Sequence, residues 1–447
     1  MRPMTVLAPL GMLGYGIPAR SMERGLARDP AVLALDAGST DPGPYYLGAG
    51  VPFVNRRAAK RDLTMILDAA RARSIPVLIG SAGGGGRPHV EWTLDLYREL
   101  CRERGYRFRT AVIDAEVDRG WLRAQVAAGR VRPLDHDRAL TAADVDGATR
   151  IVAQMGVEPF LTALDAGAEV VIAGRACDAA VIAALPIHAG FDPGLALHMG
   201  KILECGAAAA YPRHGSDSLL GVIEDDAFTV EPPNPDKVCT VASVAAHSLY
   251  ERANPYELHL PHGHIDLKAT RFEPSGDRAV RVSGTRFVPA ATPTLKLEGV
   301  ARVGLRTLAI AGVREPQLIA NLDAYLANVR TRVADTYPDG YRLMFHVYGR
   351  DGVMGPLEPV RGSHPHELGL VIEVIADDAE TSAAVLALAR SVALHVTYPG
   401  RKAIAGNLAF PFSPSDLRAG EVYEFTIHHL VAVEDPGALF RVESLEG

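Results

Sequence analysis

Short apolar strands that run straight into loops of Gly, Ser, Asp or Arg recur five times along this chain, and most are followed by a helical pattern. The sharpest instance is Pro76-Val77-Leu78-Ile79, which enters Gly80-Ser81-Ala82-Gly83-Gly84-Gly85-Gly86. Open α/β sheets bind ligands just outside the carboxyl ends of their strands. Glycines there let backbone N–H groups approach an anion, with a helix N-terminus behind them. The pattern therefore fixes where a site is expected, and leaves the reaction open.

The other four strands are Met4 to Leu10, Ala31 to Leu35, Arg109 to Ile113 and Glu169 to Ala173. The periodicity predicts helices over Lys60 to Arg73, about Pro159 to Ala166, and over Ala196 to Ala210. Strands spaced by helices imply right-handed crossovers and a mainly parallel, doubly wound sheet. After Pro212 the texture becomes β-rich, with strands such as Lys237 to Ser243, Arg278 to Ser283 and Thr294 to Glu298, until a helix over Gln317 to Val333. Further on, Tyr341 to Tyr348, Leu368 to Ile375 and Val422 to Val433 read as strands around a helix over Thr381 to His395. That order suggests an α+β piece of the ferredoxin-like kind. The expected division is a Rossmann-like 1–212 and a β-rich 213–335 in one α/β core, then an α+β domain over 336–447.

With 447 residues, 48% hydrophobic and 22% charged, the chain has the composition of a globular protein with a sizeable core. Its net charge of −7 carries no basic block that would call for nucleic acid. No stretch reaches the roughly 18 apolar residues of a membrane span, so no membrane partner is expected and the chain reads as cytoplasmic. The four cysteines, Cys101, Cys177, Cys205 and Cys239, form no Cys-x-x-Cys pair, and neither a zinc ribbon nor a disulfide framework is indicated. A homo-oligomer is the default expectation.

Several side chains have the types and positions that carry chemistry. Ser81 with Gly83, Gly84 and Gly85 can cradle a phosphate, a carboxylate or a thioester oxygen, or can form a plain connector. The run is neither a P-loop nor a dinucleotide fingerprint, so no cofactor is clearly indicated. Asp36 and Asp114 stand at strand ends, where a carboxylate acts as a general base or caps the next helix. Arg175 can clamp a carboxylate bidentately, or pair with Asp178 beside a buried Cys177. Glu204 lies among Leu, Ile and Ala, where an unpaired charge is costly, so it must be paired or functional. Burial there raises a carboxyl pKa towards neutrality and suits Glu204 to proton transfer, with Lys201 in reach. Lys296 and Glu298 face the same side of a strand, to pair or to reach the cleft. His259, His262 and His264 form a cluster whose spacing matches no compact zinc motif.

These residues also carry a family likeness. His198 to Gly206, Leu249-Tyr250-Glu251 leading to Asp266, and Lys296-Leu297-Glu298-Gly299 resemble the acyclic terpene utilisation (AtuA) family. So does Tyr398-Pro399-Gly400-Arg401-Lys402-Ala403 through Gly406 to Phe412. The resemblance spans most of the chain. It implies an α/β amino-terminal part followed by a ferredoxin-like piece, a setting in bacterial breakdown of citronellol and geraniol through branched acyl-coenzyme A intermediates, and a small partner protein from the same operon. It implies no catalytic residues.

The expected function is an enzyme on a small carboxylate or acyl thioester, a hydratase or dehydratase (lyase) or a double-bond isomerase. Glu204 moves the proton with Asp36 or Asp114 as counterpart; Ser81 and Gly83 to Gly85 hold an oxygen, and Arg175, Asp178 and Lys296 complete the binding set. A coenzyme A thioester enters as substrate. The alternatives are a non-catalytic ligand- or partner-binding subunit of a catabolic complex, and an acyl transferase or hydrolase using Cys177 or Cys205.

Overall fold

Alternate residues of the central strands fall into different hydrophobic clusters. Val32, Ala34 and Leu78 belong to one, while Leu33, Leu35, Val77 and Ile79 belong to another. Successive side chains of a strand point to opposite faces, so the sheet is buried on both sides. That is why these strands read as continuous apolar runs rather than as alternating ones. The computed structural model describes residues 1–251, 254–360, 362, 365–402 and 404–445. Ala403, part of the string that carries the family likeness, lies outside them.

The chain forms two units: Met1–Ala301 together with the segment from Phe425 onward, and Arg302–Glu424 between them. The break expected at 335 is thereby corrected. The helix Leu322–Ala334 buries Tyr325 and Val329 with Leu370 and Ile372 of the second unit, so it cannot end the first.

The first unit is mixed α/β and is organised by a ten-stranded sheet. Met4–Ala8, Val32–Asp36, Val77–Gly80, Val170–Ala173 and Thr110–Ile113 lie side by side and parallel, in that spatial order. All five expected strands are present. The β-rich stretch does not fold apart from them. Leu219–Ile223 pairs antiparallel with Met4–Ala8, and Ala227–Glu231, Ala279–Ser283 and Arg271–Ser275 extend the sheet beyond it. At the opposite edge Val442–Leu445 pairs antiparallel with Thr110–Ile113. Smaller sheets join Ala210–Tyr211 to Val238–Cys239, and Glu257–Leu260 and Arg286–Pro289 to Gly263–Asp266.

Helices cover both faces. Arg56–Arg73 begins at Asn55, whose side chain accepts from the N–H groups of Arg57 and Ala58, and it packs with Arg87–Arg104 over one face. Asp178–His188 and Pro193–Leu203 belong to the other. These two helices touch so closely that a Cβ on Gly200 would stand 2.3 Å from the carbonyl oxygen of Ala179. The helix expected over Ala196 to Ala210 stops at Leu203, and Glu204 is its C-cap; a short 3-10 turn, Gly206–Ala209, follows. Gly206 has φ +57° and its place is filled by neighbouring backbone, which ends the α-helix there.

In the second unit Leu305–Val313 pairs antiparallel with Leu368–Ala376, and Tyr341–Tyr348 lies on the far side of that strand. Leu322–Ala334 and Ala379–His395 cover one face, where Ala309, Ala311, Ile372 and Val374 are buried. No described helix is long and apolar enough to cross a membrane.

Gly200→Ala is expected to destabilise the protein by about 1–3 kcal/mol, because backbone rather than a pliable side chain blocks the new methyl. Gly147→Ala, where nothing lies within 4 Å, should leave stability unchanged or slightly improved. Urea unfolding midpoints of the two variants check both statements.

Candidate functional site

Loops leaving the carboxyl ends of the parallel strands frame a cavity of about 320 Å³. The first strand contributes Gly11, Met12 and Tyr15, the second Asp36, Ser39 and Asp41, and the strand Val170–Ala173 leads to Asp178. Glu204 and Cys205 come from the end of the helix Pro193–Leu203, and Tyr250 and Glu251 from a turn after Val241–Ser248. The first loop is held by Asp62, fully buried, whose Oδ2 accepts from the N–H groups of Gly14 (3.0 Å) and Gly16 (2.9 Å).

The wall of this cavity is acidic. Asp36, Asp41, Asp178, Glu204 and Glu251 line it, and Lys201 is the cation at its edge. Lys201 Nζ lies 2.5 Å from Glu204 Oε1 and 3.5 Å from Glu251 Oε2. Its ammonium also stands 5.3 Å from the centre of the Tyr250 ring, which stacks on His247. Burial, together with the neighbouring Lys201 and Arg213 charges, drives the His247 imidazole down to about 4, so it is neutral.

Burial is also the largest influence on the carboxylates. It raises Glu204 to about 8; Lys201 opposes the shift, and Asp178 and Glu251 add to it by repulsion. Asp36 is raised well above the usual carboxylate range by burial and then by Asp178, although Arg175 and the N–H groups of Gly38 and Ala37 pull the other way. Asp178 is raised by burial, against the pull of Arg175 and Lys201. Its Oδ1 is buried without a hydrogen-bond partner. Burial and repulsion between like charges both favour the protonated carboxyl, which is why Asp36, Asp178 and Glu204 are all raised.

Of the expected site residues, Glu204, Asp36 and Asp178 meet at this cavity. Arg175 stands behind it, only 5% exposed. Its Nε donates to Glu298 Oε2 (2.7 Å) and its Nη1 to Ser81 Oγ (3.2 Å), while Nη1 is 3.8 Å from Asp178 Oδ1. Glu298 also takes Lys296 Nζ (2.9 Å) and the Thr40 hydroxyl (3.1 Å). Against the effect of burial, Arg175 and Lys296 hold the Glu298 carboxyl down at about 2. The expected clamp for a substrate carboxylate is therefore occupied by a carboxylate of the protein, and Lys296 shares the same partner.

The glycine loop is tied into the fold. Gly83, Gly84 and Gly85 donate their N–H groups to the carbonyls of Ala37, Ser81 and Ala82. Ser81 is fully buried at φ +46°, and its hydroxyl also accepts from the Ala176 N–H. A Cβ on Gly38 would lie 2.2 Å from Gly84 N, so the two loops pack backbone on backbone. Asp114 is elsewhere. It accepts from Arg87 Nη1 (3.2 Å) and from the Glu116 N–H, beside a different groove. His259 faces His264 across a strand pair, and His262 Nδ1 lies 3.4 Å from Glu158. Among the described residues no group of three or more His, Cys, Asp or Glu is placed to hold a metal ion.

Asp41 and Glu251 join the cavity without having been singled out as site residues. Glu251 was visible only inside the Leu249-Tyr250-Glu251 string. Its φ of +58°, unusual for a glutamate, marks a turn that the surrounding structure imposes.

Glu298→Gln takes from the buried Arg175 its nearest charge partner and is expected to cost about 3 kcal/mol in urea unfolding at neutral pH. The contribution of Glu298 is complete above the ordinary carboxylate range and is lost as pH falls towards about 2. The difference between wild type and variant should therefore shrink on acidification, and a pH-independent difference would contradict the pairing.

Comparison with known proteins agrees with the likeness read in the sequence. The family model described as acyclic terpene utilisation family protein AtuA matches residues 56–411. That range covers the strands, loops and helix ends that carry Asp178, Glu204, Glu251 and Glu298. No curated protein and no solved structure matches the chain. The chain belongs to the acyclic terpene utilisation (AtuA) family.

Proposed function

We propose that this protein is an enzyme of general acid–base catalysis, a hydratase or dehydratase (lyase) or a double-bond isomerase acting on a small acyl compound. One observation carries the reading. Three carboxylates from separate elements, Asp36, Asp178 and Glu204, converge on one cavity, and each is driven above its ordinary range. Catalytic acids and bases are found where burial and like charge are arranged in this way.

Glu204, with its carboxyl near 8, serves as the acid that protonates a leaving hydroxyl or a migrating double bond. Asp178, whose buried Oδ1 lacks a hydrogen-bond partner, serves as the base that takes a proton from carbon. Asp36, raised by burial and by repulsion from Asp178, adds a third carboxyl to the site. An acidic wall repels an anion, so the substrate turns a hydroxyl or carbonyl, rather than a carboxylate, towards these groups. Met12, Tyr15 and Tyr250 offer apolar surface to a branched chain, which suits the family's name. A coenzyme A thioester fits this chemistry because its carbonyl is uncharged. The acyl-transferase reading gains no support, since burial raises the Cys177 and Cys205 thiols to about 12.

We also read the parallel strands, covered on both faces, as a Rossmann-like doubly wound arrangement, and 302–424 as ferredoxin-like; the strand and helix order supports both. A second reading, a binding subunit of a larger complex, is favoured by apolar side chains standing in solvent on the second unit. Val353 is 85% exposed, Leu357 78% and Ile404 99%.

The test is turnover of branched unsaturated acids, their hydroxylated counterparts and their acyl thioesters in heavy water and in oxygen-18 water, read by mass spectrometry. Wild type should incorporate label, and Glu204→Gln should lose about 100-fold or more of the rate. Catalysis that needs protonated Glu204 should decline above about pH 8, and Asp178→Asn should be inactive at every pH. No label incorporation by the folded chain alone, restored by an added partner protein, would favour the second reading. A Glu204→Gln variant as active as wild type would end the first.

A further inference from the structure

A second cavity, of about 570 Å³, lies at the other end of the parallel strands, where Thr110 begins its strand. Its chemistry is opposite to that of the acidic cleft. Arg98, Arg102 and Arg107 line it, and no carboxylate is among its described lining residues. Arg98 and Arg102 are one helical turn apart on Arg87–Arg104 and share a face. Arg107 faces them from the segment that leads into the strand Thr110–Ile113.

The floor is largely apolar. Tyr97 and Phe108 are 6% and 5% exposed and lie 6.4 Å apart, centre to centre. The Tyr97 hydroxyl is fixed by Thr110 Oγ1 at 2.6 Å. Leu445 from the edge strand closes the side. Among the described residues Arg98 makes a loose contact with Asp95, at 3.9 Å. Guanidinium groups recognise phosphate through paired N–H donors, and aromatic and aliphatic floors take a flat ring. The volume is that of a small-molecule site.

The geometry points to a binding site for a nucleoside monophosphate or an equivalent phosphate ester with a flat ring, separate from the acid–base cleft. The phosphate lies among Arg98, Arg102 and Arg107, and the ring against Tyr97, Phe108 and Leu445. This assignment does not depend on the proposed reaction, because no residue is common to the two cavities.

The test is isothermal titration of the full chain with AMP, adenosine and pyrophosphate at low and at physiological ionic strength. AMP should bind more tightly than adenosine or pyrophosphate, and added salt should weaken it. In the double variant Arg102→Gln/Arg107→Gln, with thermal unfolding unchanged, AMP affinity should fall at least about tenfold. Should that variant not fold, Arg102→Lys and Arg107→Lys, which keep charge but lose the planar fork, should each weaken AMP. Absence of AMP binding by folded wild type would overturn the assignment. So would adenosine or pyrophosphate binding as well as AMP, or AMP affinity untouched by the arginine changes.

Discussion

The buried pair of Arg175 and Glu298 is the contact on which the site depends. Arg175 is attached to three segments at once, two loops and a strand. Its N–H donates to the Gly85 carbonyl, its carbonyl accepts from Met155, and its guanidinium reaches both Ser81 and Glu298. Glu298 adds the Thr40 hydroxyl from the loop after Val32–Asp36. A buried ion pair is weak evidence for net stability, since desolvation offsets much of the attraction, but loss of one partner is severe. The pair is therefore better understood as a device of position. It fixes the strand-end loops relative to one another.

The same pair explains how an acidic cleft exists at all. Arg175 satisfies Glu298 at 2.7 Å and stands at 3.8 Å from Asp178. Asp178 and Asp36 thus receive only part of a positive charge, and Lys201 is divided between Glu204 and Glu251. Two cations shared among several carboxylates neutralise each only in part, and burial then raises Asp178 and Glu204. Glu298 sits with two cations and is held down; Glu204 sits with half of one and is driven up. Opposite ionisation of the same residue type follows from neighbours alone.

Much of the first unit was legible because its strands are buried on both faces. Val77–Gly80 and Val170–Ala173 are continuous apolar runs, and their shortness, β-branched residues and flanking turn residues mark them as strands rather than buried helix. Glu204 stood out because the residues around it are apolar. Its exact setting did not, since helical periodicity carried the prediction past Leu203, while the stop is set by Gly206 packing against Leu10, Gly11 and Asp217. The pairing of Arg175 with Glu298 is not legible in the sequence for a related reason. Its partner Glu298 lies 123 residues away, and no local pattern announces such a pair. Nor did local pattern reveal that Val442–Leu445 completes the sheet, because a four-residue edge strand leaves almost no periodic signal. Asp114 looked like Asp36 in sequence; the spatial order of the strands, with Val170–Ala173 between Val77–Gly80 and Thr110–Ile113, carries it away from the cavity.

That edge strand has a bearing on how the chain is made. The sheet that holds Met4–Ala8 takes its edge strand from Val442–Leu445, whereas the strands and helices of the unit between Arg302 and Glu424 are close together in sequence. During synthesis the inserted unit leaves the ribosome with all its pieces, while the host still waits for its last strand. Contacts of such long sequence separation form slowly, and until they form the Thr110–Ile113 edge is an unpaired strand in a crowded cell. Until Val442–Leu445 docks, that edge offers its backbone N–H and C=O groups to any other strand it meets.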